Sequence, residues 1–382
     1  MTIRVEVAAP LLAWAAERSG LEHQELVRRF PKLREWEVGT RMPTLRQLED
    51  YARATRTPVG YLLLDTPPTE EVPIPDFRTQ RDLGVRRPSP DLLDTIALCQ
   101  ERQDWFQMHA RASGQPPLAF VGSLDVGMAP ALAADVMREA IGFGLQERQQ
   151  YTTWQDALRA LIVSVEDSGV LVMTSGIVGA NTRRVLDPDE FRGFSLVDDL
   201  APVIFINGAD TKAAQIYTLV HELAHLWLGQ SALDDPRLGQ RSINGSERWC
   251  NQVAAELLVP TASLRERFNR QRPLDEQVEE FRRFYRVSGL VVLHSLFDAG
   301  LISWDSFSAA YGAELDRIEA RSTIRSGGDF YRTLPTRVSH RFARAVITSA
   351  LEGETLYRDA YRMLGLRKHE TFEQLRDRVG LG

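Results

Sequence analysis

Over the first 66 residues, apolar positions recur at helical spacing in short bursts, and each burst is closed by glycine or proline. Leu11, Leu12, Ala15 and Ala16 share one face and Gly20 ends their run, while HQELVRRF supplies an amphipathic turn pair ahead of Pro31. KLREWEVG is a short helix stopped by Gly39. Pro43 and Thr44 open TLRQLEDYARAT, in which Leu45, Leu48 and Ala52 face one way, and PVGYLLL starts at Pro58. The pattern predicts a five-helix bundle over residues 1–66. In the TPPTEEVPIPDFRT stretch that follows, Pro67, Pro68, Pro73 and Pro75 remove backbone donors and hold the chain extended, so residues 67–89 are expected to form a linker.

Beyond the linker, Leu92, Leu93, Ile96, Ala97, Trp105 and Met108 fall on a long helix over 90–112, and a second helical stretch covers about 130–165. GVLVMTSGIV (169–178) and PVIFINGA (202–209) are short, β-branched and bounded by Gly, Pro and Asn, which favours strands. Helices return from Asp210 to about Gly300. The expected fold is α+β and mostly helical, with a small sheet in a domain over 90–310. Residues 311–382 read as a helical C-terminal region: the Gly327–Gly328 pair looks like a loop, and RFARAVITSALEGETLYRDAYRMLG keeps a helical period.

At 382 residues the chain exceeds what one core usually organises, and 43% hydrophobic with 26% charged residues is an ordinary globular composition. The net charge of −6 excludes a uniformly basic nucleic-acid coat but leaves room for a local basic patch. Residues 321–382 alone hold 12 basic and 7 acidic groups, a bias that a solvated helix face accounts for. Cys99 and Cys250 are far apart and belong to no CxxC pair, which suits a reducing compartment. The N-terminal stretch has no basic segment before its apolar residues, and no uncharged run of about 18 apolar residues occurs. A cytoplasmic protein without membrane contact is expected.

HELAH at 221–225 carries the strongest chemical signal. Two histidines four apart on a helix share a face and can point at one ion, while Glu222, beside the first, can reach a water held in the remaining position. Leu219, Leu223, Ala224 and Leu226 give this helix an apolar surface, and Gly229 can end it. The opposing reading, two core histidines that only hydrogen-bond, is disfavoured by the cost of burying adjacent imidazoles without partners. A third ligand must come from elsewhere. SERWCNQVAAELLVP (246–260) reads as a helix on which Glu247 and Asn251 lie one turn apart, and spacing leaves Asp234, Asp235 and Glu256 as competitors to Glu247. Tyr217 and His294 are conceivable donors to a developing oxyanion, whereas Cys250 reads as packing.

HELAH paired with E-x-x-C-N-x-x-A-A-E-L-L-V-P resembles the ImmA/IrrE family of metallopeptidases, over roughly residues 195–300. The resemblance implies a zincin-like fold and one zinc ion per chain held by His221, His225 and Glu247. It also implies Glu222 as general base and Asn251 as a supporting group behind the ligands. Trp249 and Val253 depart from the family pattern, both at packing positions. The 1–66 bundle resembles the Cro/repressor-type (XRE) helix-turn-helix domain through Trp36, Glu37, Gly39, Pro43 and Thr44. That likeness implies DNA contacts from Arg28, Arg29, Lys32, Arg34 and Arg41, although ten basic residues against nine acidic ones leave the segment nearly neutral.

The function implied is a zinc endopeptidase that cleaves a specific regulatory protein, a repressor or a partner encoded nearby, in a stress or mobile-element response. The alternative is a DNA- or toxin-binding antitoxin or regulator with a structural or vestigial zinc. HELAH favours catalysis, because a structural site needs the ligands but not Glu222 and is normally closed by a fourth protein ligand. A homodimer is compatible with the repressor-like segment.

Overall fold

Each N-terminal burst of apolar residues forms a turn of helix: α1 (Ala9–Ser19), α2 (His23–Arg29), α3 (Leu33–Glu37) and α4 (Leu45–Ala54), followed by a 3-10 helix at Val59–Leu63. The fifth element is therefore a tight turn and not an α-helix, as suits five residues behind Pro58. The computed structural model describes residues 3–76, 88–233, 244–322 and 330–381. Gly20 ends α1 at φ 67°, a left-handed conformation that costs glycine nothing, and Thr44 caps α4 through a reciprocal pair with Gln47. Leu11, Leu12, Leu26, Leu33, Trp36, Leu48 and Tyr51 make the core, where the Tyr51 hydroxyl donates to Leu12 O at 2.8 Å.

The described residues of Met1–Pro73 and Gly84–Ile96 form one unit, and those of Ile74–Leu83 and Ala97–Gly382 another. In the second unit α5 (Pro90–Ala112) continues from Ala97 onward. The helical stretch expected over 130–165 is three helices: α6 (Pro130–Ile141), α7 (Leu145–Gln149) and α8 (Trp154–Asp167). Gly142, at φ 60°, ends the first of these, and Gly144 starts the second.

The sheet has the order β1-β3-β2-β4, with β1 (Leu171–Ser175) parallel to β3 (Val203–Asn207) and β2 (Gly193–Leu196) antiparallel to both β3 and β4 (Ala232–Leu233). β1 and β3 lie where β-branched runs predicted strands. β2 and β4 carry no such signal; GFSL is fully buried because helices and neighbouring strands cover it, not because of a run of strand-forming residues. Leu233 N–H donates to Pro75 O at 3.0 Å, so part of the expected linker lies against the sheet edge.

Helices α9 (Lys212–Leu228), α10 (Gly245–Leu258), α11 (Thr261–Arg267), α12 (Leu274–Tyr285), α13 (Gly289–Asp298) and α14 (Trp304–Ser322) follow. Much of the core lies where α6, α8, α9, α10, α12 and α13 meet one face of β1 and β3. The C-terminal set is α15 (Phe330–Val338), α16 (His340–Leu351), α17 (Tyr357–Leu364) and α18 (His369–Arg378), with α15 and α16 packed on β1. The periodic 341–365 stretch is broken into α16 and α17 around Gly353, at φ 81°. The Gly327–Gly328 pair lies outside the described residues. Among the described residues no helix is long and apolar enough to cross a membrane.

A buried carboxyl ties α8 to the start of α16. Glu166, 6% exposed, accepts from Ser339 Oγ at 2.5 Å. Burial pushes its pKa up to about 7, against hydrogen bonds from Ser339 and from backbone groups at Arg341, His340 and Val172 that act to lower it. The folded chain therefore holds this proton more tightly than the unfolded chain. Its stabilising contribution is complete below the ordinary value near 4.5 and is lost as pH rises through about 7. Replacing Glu166 with Gln should make the protein more stable than wild type at pH 8 by about 3 kcal/mol and leave little difference at pH 4.5, as read by thermal or urea unfolding. A constant difference across that range would contradict the assignment.

Candidate metal centre

The two helices that carry the motif are fixed at both ends. Thr211 Oγ1 caps α9 by accepting from Ala214 N–H at 3.2 Å, and at the other end Gly122 and Leu124 N–H groups donate to Leu226 O and Trp227 O at 3.1 and 3.0 Å. Gly229 closes α9 at φ 67°, where a Cβ would come within 3.0 Å of Gly122 Cα, so both conformation and space require glycine. Asn244 caps α10 through Ser246 N–H at 2.8 Å. The last carbonyls of α10 are met by arginines: Arg148, fully buried, donates to Leu258 O at 2.7 Å and Leu257 O at 3.0 Å, and Arg138 donates to Glu256 O at 2.8 Å. Burial, with Arg138 nearby, pushes the Arg148 pKa down to about 9.

With both helices held, His221, His225 and Glu247 converge. The two Nε2 atoms are 3.1 Å apart, His225 Nε2 lies 2.9 Å from Glu247 Oε1, and His221 Nε2 lies 3.4 Å from Glu247 Oε2. All three side chains are buried, and their ligand atoms lie within 4.8 Å of one another. Tetrahedral zinc with bonds of about 2.0–2.1 Å separates its ligand atoms by about 3.3 Å, so the triad fits such an ion with shifts of a few tenths of an ångström.

Protonation states suit the same role. Burial pushes the His225 imidazole down from its ordinary value, with Glu247 partly opposing, which keeps the ring neutral. For Glu247 burial acts upward, but hydrogen bonds and charge from His221 and His225 hold the carboxyl well below the usual carboxylate range. Glu247 also sits in the first turn of α10, where exposed amide dipoles favour an anion. Neutral imidazoles and an ionised carboxylate are the forms that bind a metal.

Glu222 is fully buried on an adjoining face of α9, against β2. A Cβ on Gly193 would stand 3.3 Å from Glu222 Oε1, 2.5 Å from Thr218 Cγ2 and 2.8 Å from Phe205 O, so the strand approaches the helix here only because this residue is glycine. Asn251 is not in the triad; its Oδ1 accepts from Tyr217 OH at 2.9 Å, and the Tyr217 ring lies 6.4 Å from the His221 ring at 24°.

Among the competing carboxylates, Glu256 accepts from Thr261 N–H at the far end of α10, whereas Asp234 and Asp235 lie outside the described residues. Cys250 is buried in the core, and Trp249 Nε1 donates to Met128 O at 2.8 Å, so these departures and bystanders concern packing. In the N-terminal unit Arg28, Arg29 and Arg34 are exposed, Lys32 is half-buried, and Arg41 is half-buried 3.4 Å from Glu35. Sequence reasoning missed Gly193, Arg138 and Arg148, whose roles depend on partners distant in the chain.

Residues 165–297 match a peptidase family. Its model is described as the IrrE N-terminal-like domain, and the match takes in β1 to β3, α9, α10 and α13. Residues 338–378 match a domain of unknown function (DUF8813), over α16 to α18. No curated protein and no solved structure matches the chain. The IrrE-like segment contains His221, Glu222, His225 and Glu247 together, which supports a peptidase-family function for this region.

Proposed function

We propose that the chain is a zinc-dependent endopeptidase that cleaves a specific regulatory protein, a repressor or a partner encoded nearby. The observation that carries this reading is the convergence of His221, His225 and Glu247, with a buried carboxylate, Glu222, next in sequence to the first of them. A bound zinc ion would supply Lewis acidity, lowering the pKa of a water to about 7 and polarising a carbonyl. Within that setting Glu222 takes a proton from the attacking water and passes it to the leaving amine. The His225 ring remains neutral, Glu247 contributes the compensating charge, and Tyr217 with Asn251 keeps the His221 ring in place.

In the same reading the N-terminal bundle contributes recognition through phosphate contacts of Arg28, Arg29 and Arg34, which are exposed, and of Lys32 and Arg41, which are partly covered. Metal analysis of the purified chain should find about one zinc per molecule, and the zinc-loaded protein should cut a proteome-derived peptide pool or a protein encoded beside its gene. A chelator should abolish the cutting and added zinc restore it. Zinc without cleavage of either target would instead support the regulator with a structural or vestigial site.

A further inference from the structure

Near the IrrE-like site four polar side chains from separate elements lie close enough for the Arg192 charge to act on His294 and on Tyr311. Arg192 precedes β2, Asp210 precedes α9, His294 lies on α13 and Tyr311 on α14. Arg192 Nη1 is 3.5 Å from Asp210 Oδ2, and these side chains are 19% and 10% exposed. The His294 ring stands 5.0 Å from Phe307 and 5.2 Å from Tyr311, the latter edge-on at 82°. Arg192 Nε, Asp210 Oδ2 and His294 Nε2 are buried atoms with no hydrogen-bond partner among the described residues. Unmet polar atoms of this kind each cost of the order of 1–3 kcal/mol, so a polar group that reached them would be bound favourably.

The donor set limits what that ligand is. Arg192 Nε–H can only donate and the Asp210 carboxylate can only accept, with His294 Nε2 able to do one or the other according to tautomer. Burial and the Arg192 charge hold the His294 pKa down at about 4, so its ring is neutral, and the cluster contains one cation and one anion. A simple anion would meet Asp210, and a simple cation would meet Arg192. A neutral group that both accepts and donates satisfies the site, and the amide is the one a peptide carries.

Position points the same way. Arg192 is next in sequence to Gly193, the strand residue that touches Glu222, and α13 packs against both α9 and α10, the helices that carry the triad. We propose that Arg192, Asp210 and His294 form a subsite for an amide group of the peptide substrate, beside the reacting carbonyl. This rests on the peptidase reading. Arg192 Nε–H donates to the amide oxygen, Asp210 accepts from the amide N–H, and Tyr311 with Phe307 walls His294. The amide is a main-chain group or the carboxamide of Asn or Gln.

The test compares zinc-loaded wild type with His294→Phe, which keeps a ring between Phe307 and Tyr311, and with Arg192→Leu, after checking that zinc content and thermal unfolding are unchanged. Cleavage of a proteome-derived peptide pool, and retention of that pool by the intact chain, are read by mass spectrometry. A fall in kcat/KM of about tenfold in each variant supports the subsite. If the fall is even across peptides the ligand is main chain; if it is confined to peptides with Asn or Gln at one position the ligand is a side chain. Cleavage by the variants at wild-type rates with an unchanged sequence profile means that water alone fills the site and overturns the proposal, while the peptidase reading stands. No cleavage by wild type, but peptide retention that His294→Phe weakens, removes the peptidase reading and keeps the subsite; equal retention removes both. If a variant loses zinc or stability, Asp210→Asn, which keeps the shape and removes the anionic acceptor for the amide N–H, replaces it with the same outcomes.

Discussion

Glu222→Gln is expected to keep about one zinc per chain and to lose cleavage by a factor of about 10²–10⁴, the range that a positioned proton-transfer group contributes. The substitution preserves shape where space is tight, since Gly193 comes close to this side chain and an amide fills the same volume as the carboxylate. The metal count should not change, because the convergent set is His221, His225 and Glu247, and Glu222 is outside it. What is lost is the ability to accept a proton. Zinc content by mass spectrometry and product formation under identical loading separate the two effects. A zinc-loaded variant that cuts at the wild-type rate would remove Glu222 from the chemistry.

Removing the third ligand should have the opposite signature. Glu247→Ala leaves two imidazoles from a single helix turn and deletes the one carboxylate of the triad, so zinc affinity should fall at least about 100-fold and the purified variant should contain far less than one zinc. Activity then disappears because the metal has gone, and excess zinc should restore part of it, which it cannot do for Glu222→Gln. Without metal the wild-type carboxylate is held by His221 and His225, so the alanine variant also loses these buried contacts in the metal-free protein. Retention of stoichiometric zinc by Glu247→Ala would mean that another group binds the ion and that the triad is a coincidence of packing.

Much of this centre is legible in the chain because its parts are local. His221 and His225 face one ion by helical spacing, Glu222 is their neighbour, and Gly229 marks the end of the helix that carries them. Spacing alone leaves Glu247 among rivals; among the described residues the packing of α10 beside α9 brings it to the histidines, while Glu256 is engaged at the far end of α10. The strand pair β1 and β3 was readable from β-branched runs, whereas β2 was not. Its Gly193-Phe-Ser-Leu stretch is a strand because β3 and β4 bond to it on both sides. Periodicity alone runs the 130–165 and 341–365 stretches together, since it continues through a break, whereas Gly142 and Gly353 in left-handed conformation do not continue a helix.

Periodicity, caps and motif spacing act between residues a few positions apart, and these short-range rules sufficed for the helices, the histidine pair and the adjoining carboxylate. Closure of the triad by Glu247, the arginine seals on α10, the glycine contact at Glu222 and the meeting of Arg192, Asp210 and His294 each join side chains far apart in the chain. Such contacts depend on how packed elements are oriented in space, which no local pattern encodes.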